Sequence, residues 1–287
     1  MRTRRVGTIT GIVQGVGFRP FVARLAREEA IGGRVENAGG AVHLDVEGDA
    51  DALARFLARL EAESPPAARI DAIALDPAPP TGAAELVIAA SMAASPAALP
   101  LPPDLATCDE CLAEVGDPSA RRAGYPFTNC TQCGPRFTIA TALPYDRART
   151  TMAGFAMCDA CRAEYEDPAD RRHHAQPIAC PVCGPELRAT SADGAVIARR
   201  GAALAAAIAE LRRGGVVAMK GLGGYQLLCD ATDPGAVSRL RARKRREAKP
   251  LAVLVSDLDA ARAIAVVSDA EASALRSPAG PIVLLAR

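Results

Sequence analysis

The stretch "GIVQGVGFRP" (residues 11–20) decides how the chain begins. It follows "RRVGTIT", whose alternation reads as a strand. It leads into "RPFVARLAREEA", which reads as a helix with Pro20 in its first turn and Phe21, Val22 and Leu25 on its apolar face. Between the two lie Gly11, Gly15 and Gly17, with no acid and with Arg19 at the loop's end. Successive backbone N–H groups of such a loop can point inward, and the helix N-terminus beyond completes a cradle for an anion. A guanidinium at the mouth can grip phosphate oxygens as a fork. Taken alone, a glycine-rich turn with a solvated arginine accounts for the same residues.

Outward from that loop, residues 1–90 read as one α+β unit. "GRVENAGGAVHLDVEG" gives two short strands around a Gly-Gly turn, with Val42, Leu44 and Val46 alternating. "DADALARFLARLEAE" is a second helix, capped by Asp49 or Asp51, with Leu53, Phe56, Leu57 and Leu60 at helical spacing. "ARIDAIAL" and "AELVIAA" supply the remaining strands. The order β-α-β-β-α-β predicts a ferredoxin-like split arrangement. In that arrangement Asn37, at a strand end beside the Gly-Gly turn, can face the loop. Its amide suits an Asx turn equally well as the orientation of a water.

A Pro/Ala-rich linker is expected at 91–103, and a cysteine block at 104–187. Eight of the nine cysteines fall in four C-x-x-C pairs. "CDECLAEVGDPSARR" from Cys108 matches "CDACRAEYEDPADRR" from Cys158 fifty residues on, and "CTQCGP" matches "CPVCGP". In a reducing compartment such pairs are metal ligands rather than disulfides. Eight thiolates suffice for two tetrahedral zinc sites, closed and therefore structural. Spacing leaves the pairing open, and the duplication favours Cys108, Cys111, Cys130, Cys133 and Cys158, Cys161, Cys180, Cys183. His173 and His174 occur only in the second copy and read as surface or supporting groups.

From 200 to 287 a third unit follows. "GAALAAAIAELRRGG" is a helix ending in glycine, and "VVAMKGLGGYQLLCDA" is strand, glycine loop and strand or turn. "LAVLV" and "PIVLLA" have the composition of buried strands, which need cover on both faces, and the chain reads as cut inside this domain. Lys220 at a strand end and the cluster Lys244, Arg246 and Lys249 suit the phosphates of a nucleotide. By charge alone they suit a solvated helix face or RNA equally. RNA is disfavoured, because no aromatics interleave with the basic run.

The whole chain has 287 residues, a net charge of +1 and no tryptophan. No global field draws it to nucleic acid or membrane. No apolar run reaches the roughly 18 residues of a membrane span, and no signal pattern opens it, so a cytoplasmic location is expected.

Residues 6–48 resemble the acylphosphatase family, with "VQGVGFR" as the phosphate loop and "NAGGAV" as the asparagine strand. The resemblance implies a phosphate loop of Gln14, Gly15, Val16, Gly17, Phe18 and Arg19. In it Arg19 binds the phosphate of an acyl phosphate and Asn37 orients the attacking water. The third unit resembles the YrdC family. Together with the "CDxC…DP…RR…CxxCGP" repeats and "KGLGGYQLLCDA", the order of domains resembles the HypF family of hydrogenase maturation carbamoyltransferases. That resemblance implies carbamoyl phosphate as substrate, two Zn(2+) per chain and ATP with Mg(2+) to form a carbamoyl adenylate. It also implies an acceptor protein, HypE, carbamoylated on its C-terminal cysteine. Two other readings remain: a stand-alone acylphosphatase with a zinc-binding appendage, and a non-enzymatic zinc module that binds RNA or protein.

Overall fold

The computed structural model describes residues 2–91, 103–246 and 248–286. Most of the expected linker 91–103 therefore lies outside the described residues. The chain divides into two compact units, Met1–Gly184 and Pro185–Arg287.

The first unit opens with β1 (Arg2–Ile12), α1 (Phe18–Glu28), β2 (Gly32–Ala38), β3 (Ala41–Asp49), α2 (Ala50–Ala62), β4 (Arg69–Ala78) and β5 (Leu86–Ile88). The sheet order is β4-β1-β3-β2-β5. The first four strands make the antiparallel split arrangement expected from the pattern, and β5 adds a fifth strand parallel to β2. β2 and β3 turn through Gly39 and Gly40, and the φ of 64° at Gly39 is the left-handed conformation such a tight turn requires. Val35, Val42, Leu44 and Val46 of the sheet meet Phe18, Val22 and Leu25 of α1 and Leu53, Phe56 and Leu60 of α2 in one fully covered core. Alternation in the strands and 3.6-residue spacing in the helices place these side chains on the shared face. Asp49 caps α2 by accepting from the Ala50 N–H.

The cysteine block continues the same unit. Each repeat starts with a short helix directly after its first cysteine: α3 (Asp109–Gly116) and α4 (Asp159–Glu166). Apolar packing is sparse, with Tyr125, Ile139, Met152 and Ala179 forming one small cluster. Buried ion pairs join the repeats reciprocally. Arg122 Nε donates to the Ala179 carbonyl at 2.8 Å, and its counterpart Arg172 donates to the Asn129 carbonyl at 3.0 Å. Arg121 and Arg122 reach Glu164, while Arg171 and Arg172 reach Glu114. The duplicated acid and Arg-Arg positions are thus the clasp between the two copies.

The second unit contains two hairpins, β6 (Arg188–Thr190) with β7 (Val196–Arg199) and β8 (Val217–Lys220) with β9 (Tyr225–Leu228). Its helices are α5 (Arg200–Arg212), α6 (Pro234–Lys244), α7 (Leu258–Arg262) and α8 (Asp269–Arg276). Asp233 caps α6, and Ser268 with Glu271 forms a capping box on α8. The strands expected at "LAVLV" and "PIVLLA" do not form; apart from one isolated bridge, Val266 to Ala286, these runs are unpaired. A continuous apolar run reports a preference for burial, but a strand also needs a neighbour to complete its hydrogen bonds. Beyond that one bridge, neither run has one among the described residues.

Candidate active site and the paired cysteine sites

The loop between β1 and α1 holds Gly15 at φ 68° and Gly17 at φ 74°, both left-handed. Gly17 is the N-cap residue of α1, so the free N–H groups of the first helical turn open toward the loop. A Cβ at Gly17 would also meet Thr131 and Gln132 at 3.0–3.1 Å, because the first cysteine knuckle lies against the loop there. Gln14 is buried and donates from Nε2 to the Ala41 carbonyl at 3.0 Å. That bond ties the loop to the β2–β3 hairpin, one residue from Val42, the cross-strand partner of Asn37.

Asn37 is completely buried, and neither its amide nitrogen nor its oxygen has a hydrogen-bond partner. An unpaired buried amide costs about 1–3 kcal/mol for each group left unsatisfied. Such a group fits a site that takes up a polar molecule in its working cycle.

Arg19 is also buried. Its Nη2 pairs with Asp146 Oδ1 at 3.2 Å and its Nη1 meets Ser91 Oγ at 3.5 Å. Asp146 belongs to the cysteine block, as do Tyr145, whose N–H donates to Gln14 Oε1 at 3.4 Å, and Arg136, whose Nε donates to the Gly15 carbonyl. Burial pushes the Tyr145 phenol up to about 12, so it stays protonated, and it donates to the Pro135 carbonyl. The loop and Arg19 share one pocket with Thr131, Arg136, Tyr145, His174 and Gln176. The cradle of the first domain is therefore covered by the cysteine block. His173 is buried and His174 lines the cradle, so neither is a mere surface group. Burial, followed by the nearby charges of His173 and Arg19, lowers His174 to about 4 and keeps it neutral. Asp146, Tyr145, Arg136 and His174 were not legible as site residues. Their contacts with the loop span more than a hundred residues of sequence, and no local pattern marks them.

The eight paired cysteines gather into two sets that follow the repeats: Cys108, Cys111, Cys130, Cys133 and Cys158, Cys161, Cys180, Cys183. Within each set all four sulfurs lie within 4.8 Å of one another. The Cys108–Cys130 and Cys130–Cys133 sulfurs are 3.8 Å apart, and the second set shows 3.6–3.7 Å. These are far beyond a disulfide bond. They match the edge of about 3.8 Å of a tetrahedron with metal–sulfur bonds of about 2.3 Å. Each first pair sits at a helix N-terminus, which favours thiolate. Arginines of the opposite repeat donate to the sulfurs: Arg171 to Cys111 at 2.8 Å, and Arg121 and Arg122 to Cys161 at 3.4 and 3.6 Å. Cys229 is half-buried in the second unit and stands outside both sets.

Of the four basic residues singled out in the second unit, Lys220 ends β8, Lys244 ends α6 and Lys249 follows in a loop; all three are exposed. Arg246 is half-buried and donates to the Pro250 carbonyl at 2.9 Å. Arg241 holds this loop by donating to the carbonyls of Arg246 and Lys249.

Comparison with known proteins bears on the whole arrangement. An acylphosphatase profile matches residues 6–85, and a HypF finger profile matches twice, at 107–140 and 157–190. A profile of the Sua5, YciO and YrdC group, described as telomere recombination, matches 209–287. The carbamoyltransferase HypF of Rhodobacter capsulatus is 54% identical over 277 residues, which are 96% of this chain and 36% of that protein. The chain belongs to the HypF family. Its first domain belongs with the acylphosphatases: that of Thermotoga maritima is 41% identical over 81 residues, covering 28% of this chain and 89% of the relative. A crystal structure of full-length HypF in the phosphate- and nucleotide-bound form superposes with a TM-score of 0.88 at 37% identity, over 97% of this chain and 36% of that one. HypF of T. kodakarensis superposes at 0.86 with 43% identity, over 97% of this chain and 35% of that one. The chain spans about a third of the length of the HypF relatives it matches. Among the described residues, no helix is long and apolar enough to cross a membrane.

Proposed function

We propose that the covered cradle hydrolyses a small acyl phosphate, and that within the HypF family this substrate is carbamoyl phosphate. The observation that carries the reading is Asn37, a fully buried amide without a protein partner in the hairpin that Gln14 ties to the glycine loop. The loop N–H groups of Gln14 to Phe18 and the guanidinium of Arg19 hold the phosphate. Asn37 accepts from a water and aims its oxygen at phosphorus. The bond from phosphorus to the acyl oxygen breaks, the carboxylate leaves as carbamate, and the water's oxygen stays on inorganic phosphate. Pre-oriented donors stabilise charge on the phosphoryl oxygens without reorganisation.

The two cysteine sets hold one zinc each in this reading. With four sulfurs per ion no position is left for water, so the metal supplies folding energy rather than chemistry. A reducing compartment, the cytoplasm, keeps the thiolates available. For the second unit we propose that ATP with Mg(2+) meets Lys220, Lys244, Arg246 and Lys249. The family's further steps are carbamoyl adenylate formation and transfer to the C-terminal cysteine of a HypE acceptor.

The test is hydrolysis of acetyl and carbamoyl phosphate by the full chain. Arg19→Ala should lower kcat/KM by more than about a hundredfold, the loss of a charge-assisted fork of about 3 kcal/mol. Asn37→Ala should lower kcat while KM stays close to that of the unaltered chain, since its partner is the water. Wild-type rates in Arg19→Ala, or no hydrolysis by the unaltered chain, would defeat the reading.

A further inference from the structure

The two cysteine repeats align without a gap through "CxxCGP" and share their cysteines, the Asp-Pro pair and the Arg-Arg pair. At the fifty-residue offset, Arg136 of the first copy stands where the second copy has Glu186. The two residues have different surroundings. Glu186 pairs at the surface with Arg199 and Arg200. Arg136 is only 1% exposed; its backbone N–H donates to Asp104 Oδ1 at 2.7 Å, but none of the hydrogen-bond partners of its guanidinium is a carboxylate. Its five N–H groups go to five backbone carbonyls. Nη1 donates to Cys133 and Pro135 at 3.0 and 2.8 Å, Nη2 donates to Cys130 and Thr131 at 3.1 and 3.0 Å, and Nε donates to Gly15.

A guanidinium buried without a carboxylate is costly unless another anion answers its charge. Two anionic positions adjoin this one. The first is the thiolate set of Cys130 and Cys133, whose own carbonyls the side chain binds. The second is the cradle, whose pocket Arg136 lines together with Gly15, Gly17 and Arg19. Arg136 also fixes the orientation of the Gly15 carbonyl. With that carbonyl turned back onto the guanidinium, the neighbouring N–H groups of the loop are left for an anion.

We propose that the first cysteine knuckle is a working part of the phosphate site and that Arg136 is the positioning residue that joins them. Metal at Cys108, Cys111, Cys130 and Cys133 fixes the carbonyls of Cys130 and Cys133, these fix Arg136, and Arg136 fixes the loop and adds positive potential behind it. The second knuckle, with Glu186 at the equivalent position, has no such link. This inference rests on the reading of the cradle as a phosphate site.

The test titrates inorganic phosphate into the full chain by calorimetry, with zinc counted in each sample. Arg136→Gln should keep two zinc ions and weaken phosphate by about tenfold, the scale of losing a charged hydrogen-bonding group. Arg136→Lys keeps the charge without the fork and should fall between. With acetyl phosphate, KM should rise more than kcat falls, because loop contacts serve ground state and transition state alike. Phosphate binding of unaltered strength in Arg136→Gln with two zinc ions overturns the proposal. Should that variant lose metal, Cys108→Ser and Cys158→Ser decide: phosphate must weaken more in Cys108→Ser, and equal or reversed losses overturn the proposal. If the unaltered chain neither binds phosphate nor hydrolyses acetyl phosphate, the reading of the cradle itself fails. If it does both and Arg136→Gln matches it, only the role of Arg136 fails.

Discussion

In the unit Met1–Gly184, Val35, Leu44, Phe56 and Leu60 are wholly withdrawn from water among side chains of α1, α2 and the five strands of the sheet. In the unit Pro185–Arg287, the buried apolar residues are Ala203, Ala236, Leu240, Ala261 and Ala272, four alanines and one leucine among the described residues. Its large apolar side chains stand outside instead, with Leu254 96% exposed, Leu284 82% and Ile282 81%. The two units have similar apolar content, so composition does not decide stability. What decides it is whether a large side chain finds neighbours. The second unit is held by helix caps, which contribute about 0.5–2 kcal/mol each, and by two short hairpins, and it is expected to open at lower free energy than the first.

The most direct way to break that comparison is one truncation in each unit. Phe56→Ala should cost about 3–5 kcal/mol in the first unit, and Leu254→Ala less than about 0.5 kcal/mol in the second. Because two units need not unfold together, hydrogen exchange resolved by segment is the suitable measurement. Equal losses, or slower exchange around α5 and α6 than in β1 and β3, would show that the second unit is held by a core as extensive as that of the first.

The same contrast explains what could be read from sequence. In the first domain the signals are local and mutually consistent. Alternation at Val42, Leu44 and Val46, helical spacing from Leu53 to Leu60 and the Gly39–Gly40 turn all point to one arrangement. The two cysteine sets were legible because duplication gives each ligand a counterpart. "LAVLV" and "PIVLLA" do not pair as their composition suggests, because hydrophobicity alone does not supply a partner strand. The cover over the cradle was hidden because Asp146 and Arg136 reach Arg19 and Gly15 only through the tertiary fold. Traces of it in the sequence are the divergence of Arg136 from Glu186 and of His174 from Gly124.

Metal removal sharpens the comparison next. A Pro-rich linker suggests that chelation would unfold the cysteine block and spare the hydrolysis site. The contacts of Arg136, Tyr145 and Asp146 with the loop and with Arg19 reverse that expectation. Stripping both cysteine sites should lower acetyl phosphate hydrolysis by about tenfold or more, as contacts to charged groups are lost. Exchange in the second unit, which holds neither site, should not change. Restored zinc should restore the rate. A metal-free chain that works at full speed would mean that the cover is dispensable.

The smallest expected effect is the response to acid, and it too belongs to the first unit. His174 is lowered to about 4 by burial and by the charges of His173 and Arg19, with Asp146 opposing. A histidine lowered on folding contributes stability that is fully present above its unfolded value of about 6.5. That contribution is lost as pH falls from there toward 4. Glu164 follows at lower pH: burial raises it, the hydrogen bonds of Arg122 and Arg121 outweigh burial and hold it at about 2, and its contribution is lost between about 4.5 and 2. The low-lying acids of the second unit, such as Asp230, Asp257 and Glu271, are held down by local hydrogen bonds in a turn and at helix starts. Melting of the first unit in zinc-saturated buffer should therefore drop by a few degrees, on the order of 2–4 °C, between pH 6.5 and 4. His174→Asn, whose side chain tolerates the φ of 55° at this position, should flatten that slope without altering the cysteine ligands, which both proteins share. If His174→Asn melts with the same pH dependence as the unaltered chain, the acid response has another source and the cradle's histidine is not a neutral, buried group.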